Sequence, residues 1–317
     1  MTLQQYTMKY RYLIICFFLF PALRSPGQQQ QQISQQRIPP VLTSLMANPD
    51  ATKWILKDSL LLQFNTHHTQ GLLKIGNYFY LSAVEVRTWP HSYGKVINGY
   101  DRDTGDGSGH LFKFDHTGRL IAQLQLGEGD SYHPGGIDFD GKHIWVPVCE
   151  YRPYGKSILY KVDPESMTAT PVASCNDAIG AVAYNSEKKE LIGMNWDAEH
   201  FYKWKKGKTD ILQFISRQKN DHHFIRYQDC QYIGKDIMLC SGLRSYQSGS
   251  SRFGLGGLQA IRLSDYSAVW EIPVPIWVGN NIPLNNNPFF AEATESKTTL
   301  YFVPEDDRSV MYVYELK

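Results

Sequence analysis

HTQGLLKIGNYFYLSAVE, from His68 to Glu85, and HPGGIDFDGKHIWVPVCE, from His133 to Glu150, are two versions of one phrase. Each opens on a histidine, closes on a glutamate seventeen positions later, and carries a turn dipeptide midway, Gly76-Asn77 in the first and Gly141-Lys142 in the second. Apolar runs on either side of such a dipeptide read as the two strands of a hairpin. Centring a two-residue turn there sets His68 opposite Glu85 and His133 opposite Glu150. A supersecondary unit that recurs is the mark of a repeat architecture, and polar residues recurring at one end of every unit converge where the units meet.

From Trp54 onward the chain consists of short alternating or wholly apolar runs separated by Gly, Asp, Asn, Pro and Ser, without a long segment of helical period. The fold class is therefore all-β. Five units align, each with an inner strand, a second strand, a loop, a third strand and a fourth. The first is HTQGLLKI, YFYLSAVE, HLFKFD and RLIAQLQL; the fifth has only NPFFAEAT, TLYFVPED and VMYVYEL. Its missing strand is available at the other end of the chain, where SLLLQFN (Ser59 to Asn65) has nothing else to pair with. The expectation is a β-propeller of five four-stranded blades closed by this N-terminal strand, which leaves no sheet edge bare. Six blades are the alternative if the long loops hide a degenerate unit. Gly71, Gly135, Gly136 and Gly180 fall on inner strands, where backbones crowd near an axis.

Residues 1–27 combine Lys9 and Arg11, an apolar run from Tyr12 to Phe20, and Ser25-Pro26-Gly27 ahead of Gln28, the pattern of a cleaved secretory signal. The run is too short to span a bilayer, and no later segment is apolar for long enough. Residues 28–53, with the glutamine tract to Gln36 and Pro39-Pro40, read as a disordered linker, leaving 54–317 as the propeller. A secreted or periplasmic location follows. The formal charge of +1 becomes −2 once Lys9, Arg11 and Arg24 leave with the leader, so no basic stripe points to nucleic acid. A turn at Gly234-Lys235 sets Cys230 opposite Leu239, which places Cys240 on the other face and argues against their pairing. Cys149 and Cys175 read as buried free thiols, with a bridge between them as the alternative.

At one mouth of such a ring the inner-strand starts bring His68, His133, Asp177, Tyr227 with Asp229, and Asn287. The ends of the next strands bring Glu85, Glu150, Asp197, Arg244, and Glu305 with Asp306. Imidazole and carboxylate together suit a divalent ion, and a carboxylate can orient an imidazole as a general base. His68, His133, Glu85 and Glu150 are the candidate catalytic residues and the candidate ligands of a divalent cation such as calcium or zinc. Arg87, Arg152, Asp177, Asn195, Asp197, Asp229, Arg244, Asn287 and Glu305 are the candidate contacts for a small polar or anionic molecule. A mutually satisfied polar plug is the bland alternative. Two loops, Arg87 to Gly109 and Ser241 to Gly257, are longer than hairpins need. The first contains Asp101, Asp103 and Asp106 in a stretch that resembles a calcium loop but lacks its spacing and closing glutamate, so an acidic turn is favoured. His67-His68 and His222-His223 are adjacent pairs, and only one of each can face the axis.

The phrases HTQGL, GHLFKFD, YHPGGIDFDG, IWVPVCEYRP, YQDCQY, MLCSG and YFVPEDD make the chain resemble a family of bacterial, often exported, propeller-type proteins known only as a domain of unknown function. The resemblance runs from about Asn65 to the end and implies a propeller, with no activity to carry over. Typical members have DHIGGV at the third inner strand; here NDAIGAV replaces a third axial histidine around Asp177-Ala178. HTQGLL is also similar to the FTQGLL phrase of propeller-type glutaminyl cyclotransferases, whose next strand carries an essential glutamate; Glu85 is the counterpart. Three functional readings stand: a metal-assisted hydrolase or lactonase-like enzyme, a non-catalytic binding or scaffold propeller, and a glutaminyl cyclotransferase-like enzyme.

Overall fold

The computed structural model describes residues 38–207, 211–222, 224–279 and 281–316; the expected signal sequence and glutamine tract, and His223, lie outside them. Five four-stranded antiparallel sheets form the blades of a propeller. Blade 1 is His68–Ile75, Tyr78–Thr88, Asp106–Asp115 and Leu120–Leu126; blade 3 is Ile179–Asn185, Glu190–Asn195, His200–Lys206 and Leu212–Lys219. Blade 4 is Arg226–Gly234, Ile237–Ser248, Ser251–Arg262 and Ala268–Val274. In blade 2 the inner strand is broken into Ser131–Pro134 and Asp138–Phe139, followed by Ile144–Glu150, Ser157–Asp163 and Thr168–Cys175. Blade 5 takes Phe289–Ala293, Thr298–Phe302 and Val310–Leu316, and its outermost strand is Ile55–Leu61, paired from Ile55↔Glu315 to Leu61↔Val310. That strand starts four residues earlier than the Ser59 to Asn65 reading.

Apolar side chains alternate along these strands, so each sheet buries both faces against its neighbours. Five separate apolar clusters result, one per seam. Leu73, Leu111 and Val146 lie in the seam of blades 1 and 2; Trp145, Ile179 and Trp204 in that of 2 and 3. Phe201 and Met238 join blades 3 and 4; Leu258 and Leu300 join 4 and 5; Phe112 and Tyr301 join 5 and 1. Five seams between five sheets describe a ring.

The segment expected to be a disordered linker contains a helix, Pro40–Ala47, with Pro40 in its first turn, where a missing N–H costs nothing. Val41, Leu42 and Leu45 are buried on the seam of blades 4 and 5, and Ser44 meets Thr298 at 2.7 Å. Folded structure thus begins well before Trp54. The short apolar stripe was masked by the flanking prolines. Ser241 to Gly257 is also not a loop: its residues extend two strands of blade 4 into one long hairpin ending at Ser248↔Ser251. Within Arg87 to Gly109, Ser92–Ile97 pairs with Tyr100–Arg102. Asp103 accepts the amides of His91 and Gly105, Asp101 pairs with Arg102, and Asp106 with Arg87, so the three acids serve a turn and do not converge.

Pairing across the first hairpin follows the expected register from Ile75↔Tyr78 as far as Gly71↔Ser82, then slips at Gln70 so that His68 meets Val84 instead of Glu85. Blade 2 slips by one between Asp138 and Pro134, and His133 meets Cys149 instead of Glu150. Blade 3 slips at Gly180 and blade 4 at Gln228. Inner strands of four blades therefore each carry one extra residue at the equivalent place, a bulge that bends the strand and re-aims the side chains beside it. A further irregularity between Tyr232 and Gly234 moves Cys230 opposite Cys240, and the two form a disulfide. The turn falls at Lys235-Asp236, one residue later than the Gly234-Lys235 reading, and that shift together with the irregularity had hidden the pairing. Cys149 and Cys175 are free thiols.

Candidate functional site

Two buried aspartates hold the inner strands together around the axis. Asp229 accepts the backbone N–H groups of Leu72 in blade 1 and Ile137 in blade 2, and Asp138 accepts those of Tyr184 in blade 3 and Tyr232 in blade 4. Burial pushes both carboxyls up, against the pull of these N–H donors. Asp229 is thus a pin between blades rather than a ligand contact.

Next to these pins, the bulges open a cavity of about 290 Å³, near the lower end for small-molecule sites. Gln70, Gly180 and Gln228, the bulge residues of three blades, line it. So do His133, just ahead of the slip between Pro134 and Asp138, and His68 and Arg226, each two positions before its own bulge. In blade 3 that position is Ala178, which agrees with the loss of a third histidine there. Arg226 was missed by the sequence reading, although aligning RYQD of blade 4 with HTQG of blade 1 would have found it.

His68 is the most structured of these groups. Its Nδ1 lies 3.0 Å from Asp306 Oδ1 and 3.1 Å from Oδ2, and Asn287 donates to the same carboxylate at 2.8 Å. A carboxylate at Nδ1 holds the proton there and leaves Nε2 as the acceptor. Gln70 Nε2 sits 2.9 Å from that nitrogen and also donates to Thr69 O, so one amide group occupies the imidazole's open lone pair. His133, ring centroid 6.1 Å from that of His68, is buried and neither of its ring nitrogens has a partner. Burial first, and His68 second, lower its pKa to about 3. It stays neutral at ordinary pH. The Tyr151 ring lies tilted against it, 4.1 Å between centroids, and Trp196 lies 6.2 Å away, forming an aromatic wall. Cys149 faces the same space, but burial raises its thiol to about 12, which leaves it a poor nucleophile.

The remaining candidates divide clearly. Asn195 and Asp197 line the cavity; Asn195 is held by Asp177, and Asp197 pairs with Arg226 at 3.3 Å. Asp177 stands behind it, accepting the Tyr202 hydroxyl at 2.6 Å. Arg244 borders a smaller cavity with Asp197, Glu199 and Arg226. Asn287 acts through Asp306. Glu305 is turned away, accepting the Tyr312 hydroxyl at 2.8 Å, so its neighbour Asp306 takes the place expected of it. Glu150 is buried and locked by Arg152 at 2.6 and 2.7 Å, with the guanidinium over Tyr100. Arg87 is spent on Asp106, Ser108 and Gly107. Glu85, displaced by the bulge, lies beside His110 and His67. The expected four-residue metal centre of His68, His133, Glu85 and Glu150 is therefore not assembled, because the two slips that bring the histidines together send both glutamates elsewhere.

Residues 36–316 match a family of unknown function designated DUF6454. The chain belongs to this family. No curated protein matches it in sequence. Among solved structures it is similar to MPT-4, a mannose phosphorylase from Leishmania mexicana, at 10% identity and a TM-score of 0.47, covering 90% of this chain and 94% of that one. A luciferin-regenerating enzyme is similar at 7% identity and a TM-score of 0.45, covering 81% and 94%. The tail fiber of Staphylococcus aureus phage P68 is similar at 10% and 0.48, covering 81% and 52%. Likenesses this distant carry no argument about chemistry.

Proposed function

We propose that this DUF6454 protein is an exported enzyme that binds a small polar or anionic molecule in the axial cavity and hydrolyses an ester or lactone bond in it. The observation that carries the reading is the Asn287–Asp306–His68–Gln70 chain, which fixes the His68 tautomer and presents Nε2 to the cavity. In this scheme a water displaces the Gln70 amide and gives its proton to His68 Nε2 as it attacks the carbonyl carbon. Asp306 stabilises the imidazolium that forms; collapse of the tetrahedral intermediate then breaks the carbonyl carbon–alkoxy oxygen bond, and His68 Nε2–H returns the proton to the leaving alkoxide, giving the acid and the alcohol. Arg226, and any N–H that His133 presents, face the developing oxyanion. No membrane-crossing helix occurs among the described residues, and the Cys230–Cys240 disulfide suits an oxidising compartment.

The cyclotransferase reading loses its support, since Glu85 is not among the residues lining the cavity. A purely binding role is separated by kinetics. Hydrolysis of 4-nitrophenyl acetate and of simple γ-lactones should be lost in His68→Gln, and Asp306→Asn should lower kcat by at least about a hundredfold with little change in KM. Catalysis that survives His68→Gln would remove the general-base assignment. Wild-type protein inert to every ester and lactone tried would leave the cavity as a binding site alone.

A further inference from the structure

Blade 1 holds a second group of ligand-type side chains, outside the axial cavity. His67, Glu85 and His110 each offer one donor atom within 4.8 Å of the other two. His67 immediately precedes the inner strand, which begins at His68; His68 lines the cavity, while the His67 ring lies against His110 of the third strand. The His67 ring stacks on that of His110 at 5.3 Å and 20°. His110 is 6% exposed, and its Nε2 has no hydrogen-bond partner. That nitrogen is aimed at Glu85 Oε2, 3.8 Å away, too far for a hydrogen bond. A buried donor or acceptor left without a partner is rare enough to call for a cause.

Supporting groups are in place around the three. Gln123 Nε2 lies 2.9 Å from His110 Nδ1; flipping this amide puts its oxygen at the ring instead, where it accepts the Nδ1 proton and leaves Nε2 free to ligate. His67 has φ of 54°, a conformation uncommon for a residue other than glycine. Asn65 Oδ1 accepts its N–H at 3.0 Å and the Asp307 N–H donates to its carbonyl at 2.8 Å, so both ends of the residue are held. Arg87 comes within 3.7 Å of Glu85, but the paired Asp106 carboxylate offsets its charge.

We propose that His67, Glu85 and His110 form a site for a divalent first-row transition ion, with zinc as the fitting species. Two neutral imidazoles and one carboxylate are a borderline-soft donor set that leaves a fourth position for water. A single carboxylate is too few oxygen ligands for calcium. The bound ion would join the turn before His68 to the second and third strands of blade 1, fixing the backbone from which His68 reaches the cavity.

The full chain, stripped with a chelator, is titrated with zinc by calorimetry and with cobalt by visible absorption. One ion per chain is expected, with cobalt giving the d–d bands of a low-symmetry N/O site. Glu85→Gln and His67→Asn should each weaken binding by at least about tenfold, with the metal-free circular dichroism unchanged. Asparagine is chosen at 67 because it tolerates the left-handed backbone. His68→Asn/His133→Asn should keep the ion. Binding that survives both blade 1 variants, binding lost only in the axial double variant, or no stoichiometric binding by the wild type each overturns the site.

Discussion

Gly135 and Gly180 lie on inner strands of adjacent blades, yet the same substitution should have opposite outcomes at the two. A methyl group on Gly135 would stand 2.6 Å from the Gly180 carbonyl carbon and closer still to its oxygen, whereas one on Gly180 would meet nothing nearer than 3.9 Å. Carbon atoms settle at about 3.5–4.0 Å, so Gly135→Ala forces the strands of blades 2 and 3 apart by about 1 Å. The bonds Gly136 N–H to Gly180 O (2.9 Å) and Val182 N–H to Gly136 O (3.1 Å) cross that seam. Overpacking of about 1–3 kcal/mol plus two weakened bonds at about 1 kcal/mol each gives about 3–5 kcal/mol. In a domain of this size that lowers Tm by about 6–10 °C. Urea and thermal unfolding of Gly135→Ala and Gly180→Ala, followed by tryptophan fluorescence, make the comparison. A Gly135→Ala protein as stable as wild type, or a Gly180→Ala protein equally damaged, would refute the packing of the inner strands.

Two further results are expected. Closing a ten-residue separation, the Cys230–Cys240 bridge should contribute about 2–3 kcal/mol, so dithiothreitol should lower Tm by about 4–6 °C; an unchanged Tm would mean the thiols are not joined. His133, with its folded pKa lowered to about 3 from 6.5, takes up in the unfolded chain a proton that it refuses in the folded one. Its contribution is complete above pH 6.5 and is lost as pH falls toward 3, so stability rises with pH across that window. Nitrogen-15 shifts of the imidazoles should show His133 neutral at pH 5; a midpoint near 6.5 would contradict its buried placement.

Strands and blade number were legible because alternation, turn dipeptides and the repeat all follow from local sequence. His68 and His133 were legible for the same reason: the repeat puts them at equivalent positions. Their carboxylate partners were not. The expected pairings assumed an unbroken ladder from the turn, while crowding of inner strands around the axis inserts one residue at Gln70, before Asp138, at Gly180 and at Gln228. No local signal marks such a bulge. One slip exchanges Glu85 for Asp306 beside His68, and that partner comes from blade 5, 238 positions away. Arg226 lay within reach of the repeat alignment but carried no histidine to draw the eye. The Cys230–Cys240 pairing turned on a single extra residue near a hairpin tip.

We propose that the bulges at Gln70, Gly180 and Gln228 shape a ligand cavity around His68. Crystals soaked separately with small carboxylic acids, γ-lactones and neutral polyols test it most directly. Carboxylates or lactones should be found between His68, His133 and Arg226, with the Gln70 amide displaced from His68 Nε2. Ligands bound only elsewhere, with Gln70 still on His68 in every soak, would contradict the account.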